Sequence, residues 1–274
     1  MSIDFRNFDA YAAVLLDLDG TVYHEEEALP GAVELIHRLI DQGRKFACLT
    51  NSTSSPRRLV ARLHRMGVRI DADRIYTAGA AAADYILEHF GQGTSPRVYS
   101  LGTDGFHELL NGKVTWVEHA GEPCDVVVCG TMTSVYATEE RLRTALTILR
   151  SNAGAGQRAR LLGMCADRVY PSPRGIEFGS GALTQLMSYA AAVEPVFTGK
   201  PEAVFFRELC GRLGVTPEKC LLIGDNLESD IGGSRRVGMR TLLTLTGVTR
   251  REDLGSLTES QRPDGVIEDL RALL

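Results

Sequence analysis

Three short runs of uninterrupted apolar residues punctuate the chain, Ala12 to Leu16, Phe46 to Leu49 and Leu221 to Ile223, and each ends at polar residues. Their length and lack of alternation predict strands buried on both faces of a parallel sheet. Between the first two, Val33, Leu35, Ile36, Leu39 and Ile40 recur at helical spacing behind Pro30, with Gly43 just past the helix end. Ser55 and Pro56 open a second helix that stops near Gly67. A third alternation follows, Ile75 to Ala78 and then an Ala-rich helix to about Phe90. Strand, helix, strand, helix is the rhythm of a parallel α/β sheet.

Gly91, Gly93, Thr94, Ser95 and Pro96 read as a linker into a new unit. Val98–Leu101, Val114–Val117, Val126–Cys129 and Leu161–Met164 are its predicted strands, with a capped helix from Thr138 to Arg150 among them. The stretch from Asp167 to Ser180 is rich in Pro and Gly and reads as a loop that folds over something. Val196-Phe197, a helix ending at Gly214, Leu221–Ile223, Arg240–Leu245 and Val266-Ile267 resume the first pattern. The economical architecture is an α/β, Rossmann-like core with a parallel sheet and helices on both faces, built from residues 1–91 and 181–274. Residues 92–180 are then an inserted, smaller α/β cap domain.

Charge narrows the range of partners. Thirty basic against thirty-five acidic side chains leave a formal charge of −5, and no Lys/Arg run is present. That excludes an electrostatic footprint for nucleic acid or for an anionic membrane surface. No apolar stretch approaches the ~20 residues of a membrane span, and the first residues carry acids instead of an apolar leader. The six cysteines show neither CxxC nor zinc spacing and read as reduced thiols, so a cytoplasmic protein is expected.

Four features each fall just past the end of a predicted parallel strand, where open α/β sheets hold their ligands. They are Asp17-Leu18-Asp19-Gly20-Thr21, Thr50-Asn51, Lys200, and Gly224-Asp225-Asn226 with Asp230. Carboxylates crowded together without a cation raise one another's pKa. An oxygen-only donor set without thiol or imidazole favours Mg2+ as that cation. An Asp nucleophile attacking phosphorus needs the phosphoryl charge offset, which Mg2+, Lys200 and the donors at Thr50-Asn51 can do from different sides. Asp19, two residues on, can protonate the leaving oxygen and later activate water. Gly179-Ser180-Gly181 lacks the strand, third glycine and downstream acid of a dinucleotide fingerprint, and no GxxxxGK[ST] exists, which excludes a P-loop.

Taken together, Asp17-Leu18-Asp19-Gly20-Thr21, Thr50-Asn51, Gly199-Lys200-Pro201 and Gly224-Asp225-Asn226-(x)3-Asp230 resemble the four motifs of the haloacid dehalogenase superfamily. The spacing resembles its capped subfamily IIA, which includes p-nitrophenyl phosphatases and ribonucleotide phosphatases with a C2-type cap. The resemblance extends to Pro30-Gly31-Ala32 and to Thr246-Gly247-Val248-Thr249. It implies Asp17 as nucleophile and metal ligand, and Asp19 as acid–base whose backbone carbonyl also binds Mg2+. It further implies Thr50, Asn51 and Lys200 around the phosphate, Asp225 on the metal, and Asn226 and Asp230 behind them. Asp230 would order metal-bound waters or Lys200. In the cap, Asp167, Arg168, Tyr170 and Arg174 are the candidates for reading the substrate. Relatives commonly carry Asn-x-Asp where this chain has Cys165-Ala166-Asp167.

The expectation is therefore a Mg2+-dependent phosphatase acting through an aspartyl-phosphate on a small phosphorylated metabolite, such as a sugar, polyol or nucleotide phosphate. Two alternatives stay open: a phosphotransferase or mutase using the same intermediate, and a non-catalytic phosphometabolite-binding regulator. Self-association into a homo-oligomer is also open.

Overall fold

The computed structural model describes residues 4–151, 158–172 and 175–274. Its chain divides into two compact units, one of residues 1–50, 56–76 and 200–274, the other of residues 51–55 and 77–199.

The first unit is built on a six-stranded sheet. Its order is Gly265–Ile267, Arg240–Thr244, Cys220–Gly224, Ala13–Asp17, Phe46–Thr50 and Ile75–Thr77. The central strand pairs in parallel on both sides, with Leu16 opposite Ile223 on one side and Cys48 on the other. Both neighbours therefore end level with it, and Asp17, Thr50 and Asp225 leave the sheet at the same edge. Helices cover both faces of the sheet. Val14, Leu16, Phe46, Cys48, Leu221 and Ile223 pack with Leu35, Ile36, Leu39 and Leu63 from the helices Ala32–Asp41 and Pro56–Arg65. Each such fully buried side chain contributes about 1.5–3 kcal/mol, so the strand ends carrying the carboxylates stand on a rigid base.

The second unit has its own parallel sheet, ordered Pro195–Phe197, Arg160–Gly163, Val126–Cys129, Arg97–Leu101 and Thr115–Trp116. On one face Ala78, Ala82, Ile86 and Phe106 pack against Val98, Val126, Val128 and Leu162. On the other, Ile148, Leu149, Leu183 and Met187 pack against Tyr99, Leu101, Val127 and Leu161. This unit is wider than residues 92–180. The Ala-rich helix Ala78–Phe90, the helix Ser180–Ala191 and the strand Pro195–Phe197 all belong to it. Small side chains let the Ala-rich helix lie close on this sheet, and that is a tertiary preference which periodicity does not reveal.

Two further features depart from the sequence reading. The stretch expected as a loop from Asp167 to Ser180 contains an antiparallel hairpin, Val169–Ser172 paired with Gly175–Phe178. A small hairpin, Tyr23–His24 with Glu27–Ala28, follows the first motif. Among the described residues no helix is long and apolar enough to cross a membrane.

Candidate active site

Asp17 is the last residue of the central strand and is buried. Beyond it the chain turns so tightly that Val22 and Tyr23 both donate their N–H groups to the Leu18 carbonyl, at 2.8 and 3.0 Å. Gly20 makes that turn at a φ of 82°, and a Cβ there would lie 2.6 Å from Asp225 Oδ2. Thr246 Oγ1 donates to the Gly20 carbonyl at 2.7 Å and ties the turn to the segment that follows the strand Arg240–Thr244.

Lys200 links the carboxylates. Its ammonium donates to Asp17 Oδ1 at 2.5 Å and to Asp230 Oδ1 at 2.6 Å, with all three side chains buried. The preceding strand, Pro195–Phe197, lies in the other unit's sheet, so Lys200 does not follow a strand of the six-stranded sheet as the sequence suggested. Asp230 accepts a further bond from the Asn226 N–H at 3.1 Å, while Asn226 Oδ1 caps the next turn by accepting from Glu228 and Ser229. Asp225 Oδ2 accepts from the Val248 N–H at 2.6 Å.

Oxygens of Asp17, Asp225 and Asp230 lie within 4.8 Å of one another. Burial, and then the charges of Asp230 and Asp225, push the Asp17 carboxyl well above the usual carboxylate range against the pull of Lys200. Burial and Asp230 push Asp225 up to about 6. Burial disfavours the Lys200 charge, yet Asp17 and Asp230 together hold its pKa above the ordinary lysine value. Three buried carboxylates thus face one ammonium, and the oxygen-only donor set suits a hard divalent cation such as Mg2+.

Asp19 is exposed, but the protein around it still strips enough hydration to raise its pKa against the lowering effect of Arg62 and His24. Thr50 is buried at the end of its strand. Asn51 and Asp167 are brought together in the second unit, where Asn51 Nδ2 donates to both carboxylate oxygens at 3.1 and 3.0 Å. Cys165, buried beside them, donates its S–H to Asp167 Oδ2 at 3.4 Å. Arg168 is exposed and Tyr170 half-buried on the hairpin. Arg174 lies outside the described residues.

A family profile described as haloacid dehalogenase-like hydrolase matches residues 14–113, and a second, HAD-hydrolase-like profile matches residues 197–273. A 5′-nucleotidase of Bacillus subtilis is 30% identical over 263 residues, covering 95% of this chain and 96% of that protein. The solved 4-nitrophenylphosphatase of Thermotoga maritima superposes with a TM-score of 0.85 at 27% identity, over 97% of each chain. A glycerol phosphate phosphatase of Mycobacterium tuberculosis, solved in complex with magnesium, matches with a TM-score of 0.84 at 25% identity, over 97% of this chain and 77% of that one.

The chain belongs to the haloacid dehalogenase-like hydrolases. Within that superfamily it is a subfamily IIA enzyme, a phosphatase that acts on small phosphate substrates. In this hydrolase the sequence reading missed Arg62. Its guanidinium lies 4.5 Å from the centre of the Tyr23 ring, pairs with Glu26 at 3.2 Å and lowers the Asp19 pKa. Its place on the polar flank of an ordinary amphipathic helix gave no signal. Val248 entered the sequence reading only within Thr246-Gly247-Val248-Thr249, and its N–H bond to Asp225 leaves no mark in side-chain spacing.

Proposed function

We propose that this phosphatase hydrolyses the phosphate monoester of a small metabolite by transferring the phosphoryl group to Asp17 and then to water. The observation that carries the reading is the buried bridge from Asp17 through Lys200 to Asp230, with Asp225 alongside. An Asp17 oxygen forms a bond to phosphorus as the bond to the leaving oxygen breaks, and Asp19 gives that oxygen its proton. Asp19 then takes a proton from water as the water oxygen attacks phosphorus and frees Asp17. Asp19 suits both tasks, being exposed and having a raised pKa. Lys200 and Asp230 hold the nucleophile in one orientation, and the ammonium offsets charge on the phosphoryl oxygens.

Mg2+, held by Asp17, Asp225 and the backbone carbonyl of Asp19, would supply further positive charge against those oxygens. Thr50 and Asn51 complete the phosphate contacts. Substrate choice among sugar, polyol and nucleotide phosphates is assigned to the stretch carrying Asp167, Arg168, Tyr170 and Arg174.

A panel of phosphate esters assayed with Mg2+ for released phosphate, with acid-quenched protein digested to find phosphate on the Asp17 peptide, tests the reading. Turnover without any phosphopeptide, in wild type and in Asp19→Asn alike, would remove the covalent step. An Arg168→Ala variant with an unchanged substrate ranking would remove the specificity assignment.

A further inference from the structure

Residues 51–55 form neither helix nor strand, and they belong to the second unit. With no ladder of its own, such a segment depends on bonds from outside to satisfy its backbone and fix its path. Three consecutive carbonyls receive them. The Gly79 N–H donates to the Ser52 carbonyl at 3.3 Å, Thr103 Oγ1 to the Thr53 carbonyl at 3.1 Å, and Thr77 Oγ1 to the Ser54 carbonyl at 2.8 Å. The buried Thr53 hydroxyl meets that of Thr131 at 2.9 Å.

Two of these threonines act twice. Thr77 Oγ1 caps the helix Ala78–Phe90 by accepting from the Ala80 N–H at 3.0 Å, and Thr103 Oγ1 caps Asp104–Leu110 by accepting from the Phe106 N–H at 3.3 Å. A hydroxyl that accepts from its helix still has a proton to donate, and a β-branched side chain held in a cap has little freedom to aim it elsewhere. Glycines bring both helix starts close. A Cβ at Gly79 would lie 2.6 Å from the Thr53 carbonyl oxygen, and one at Gly105 would lie 2.6 Å from the Ser55 nitrogen. Thr103 and Thr131 follow the paired strands Arg97–Leu101 and Val126–Cys129, so adjacent strand ends of one sheet grip Thr53 by its carbonyl and its side chain.

We propose that Thr103 and Thr131 are positioning residues for the phosphoryl group: by fixing Thr53 they hold the chain that leaves Thr50-Asn51 in one path. Neither touches the substrate. Their hydroxyls act through the backbone and side chain of Thr53, two residues beyond Asn51. The proposal rests on the reading that Thr50 and Asn51 contact the phosphate. A displacement of about 1 Å in such contacts can cost on the order of a hundredfold in rate, so a weakened grip on this segment is felt at the reacting bond. Both threonines are half-buried, so their replacement opens no core.

Turnover of several phosphate esters by the full chain with Mg2+, together with the inhibition constant of inorganic phosphate, tests it. Thr131→Val and Thr103→Val keep the branched shape and remove the hydroxyl. Each should lower kcat/KM about tenfold and weaken inhibition by phosphate by a similar factor. The loss should be the same for every ester, because the phosphoryl group is what they share. Thr131→Ser and Thr103→Ser keep the hydroxyl and should stay within about twofold of wild type. Thr53→Val combined with Thr131→Val should be no worse than either alone, since both break one bond. Thr103→Val also loses a helix cap and should melt lower, whereas Thr131 caps no helix and covers the case in which Thr103→Val fails to fold. Thr50→Val, which alters the phosphate contact itself, should weaken phosphate inhibition by its own route. Unchanged inhibition in Thr50→Val would remove the phosphate reading and this proposal with it. Weakened inhibition in Thr50→Val beside wild-type inhibition in Thr131→Val would overturn the positioning role alone. A loss confined to some esters, or one that serine does not restore, would overturn it too.

Discussion

Gly20 shows how narrowly the site is set at the scale of one residue. Its φ of 82° lies where side chains other than glycine are strained, and the space a Cβ would need is filled by Asp225. Gly20→Ala should therefore cost about 1–3 kcal/mol of stability through strain and collision. Because the displaced atom belongs to Asp225, phosphatase activity should fall further than the loss of folded protein explains, as paired melts and phosphate-release assays would read. Asp17→Asn makes the complementary case. An amide keeps the shape of the side chain but neither attacks phosphorus nor carries charge, so turnover should drop by several orders of magnitude while the protein stays folded. Phosphate release within about tenfold of wild type would mean that another group is the nucleophile.

Elements were legible where one physical signal dominated. Ala13–Asp17, Phe46–Thr50 and Cys220–Gly224 are buried along their whole length, so an unbroken apolar run marks each within a residue or two. Asp17 and Asp225 were legible for the same reason, since they stand at the ends of such runs, whereas Lys200 and Asp230 were marked by their motifs alone. The Ala-rich helix and the Pro195–Phe197 strand are equally periodic, but periodicity says nothing about which of two sheets they join. The hairpin at Val169–Phe178 was hidden because Pro and Gly outweighed the alternation of Tyr170, Glu177 and their apolar neighbours. Asp125 illustrates an element-scale tie that spacing cannot show. Its carboxylate accepts from the Arg97 backbone N–H at 2.8 Å and from the guanidinium Nε at 3.0 Å, locking two strands in register. These bonds hold the Asp125 pKa below the usual range, chiefly through the Arg97 side chain. A depressed carboxylate contributes stability above its unfolded pKa of about 4 and loses it as pH falls through the folded value. Asp125→Ala should thus cost about 1–2 kcal/mol at pH 7, and the difference from wild type should shrink on acidification in urea titrations.

For the whole molecule, the carboxylate cluster makes stability, metal and pH one linked problem. With Asp225 pushed up to about 6 and Asp17 well above its usual range, the metal-free folded chain holds protons that the unfolded chain has released. Raised carboxylates favour the folded state at low pH, and that advantage is lost as pH rises from about 4 through their folded values. In chelator, the unfolding temperature should therefore decline between pH 4.5 and 7.5 more steeply than it does with Mg2+, because a bound cation replaces the protons. Mg2+ at a hundredfold excess over its dissociation constant should add about 2.7 kcal/mol, with the larger gain at the higher pH. Asp225→Asn removes one of the crowded charges and one metal ligand, so it should flatten the metal-free slope and blunt the response to Mg2+ together. Turnover should follow the same metal, lost in chelator and restored by Mg2+, with Ca2+ a poor substitute because it accepts more ligands at longer range and lets Asp17 bind through both oxygens. Melts of wild type and Asp225→Asn across pH, with and without Mg2+, read all of this in one experiment. Equal stabilisation of the two proteins by Mg2+ at every pH would mean that Asp225 does not hold the cation.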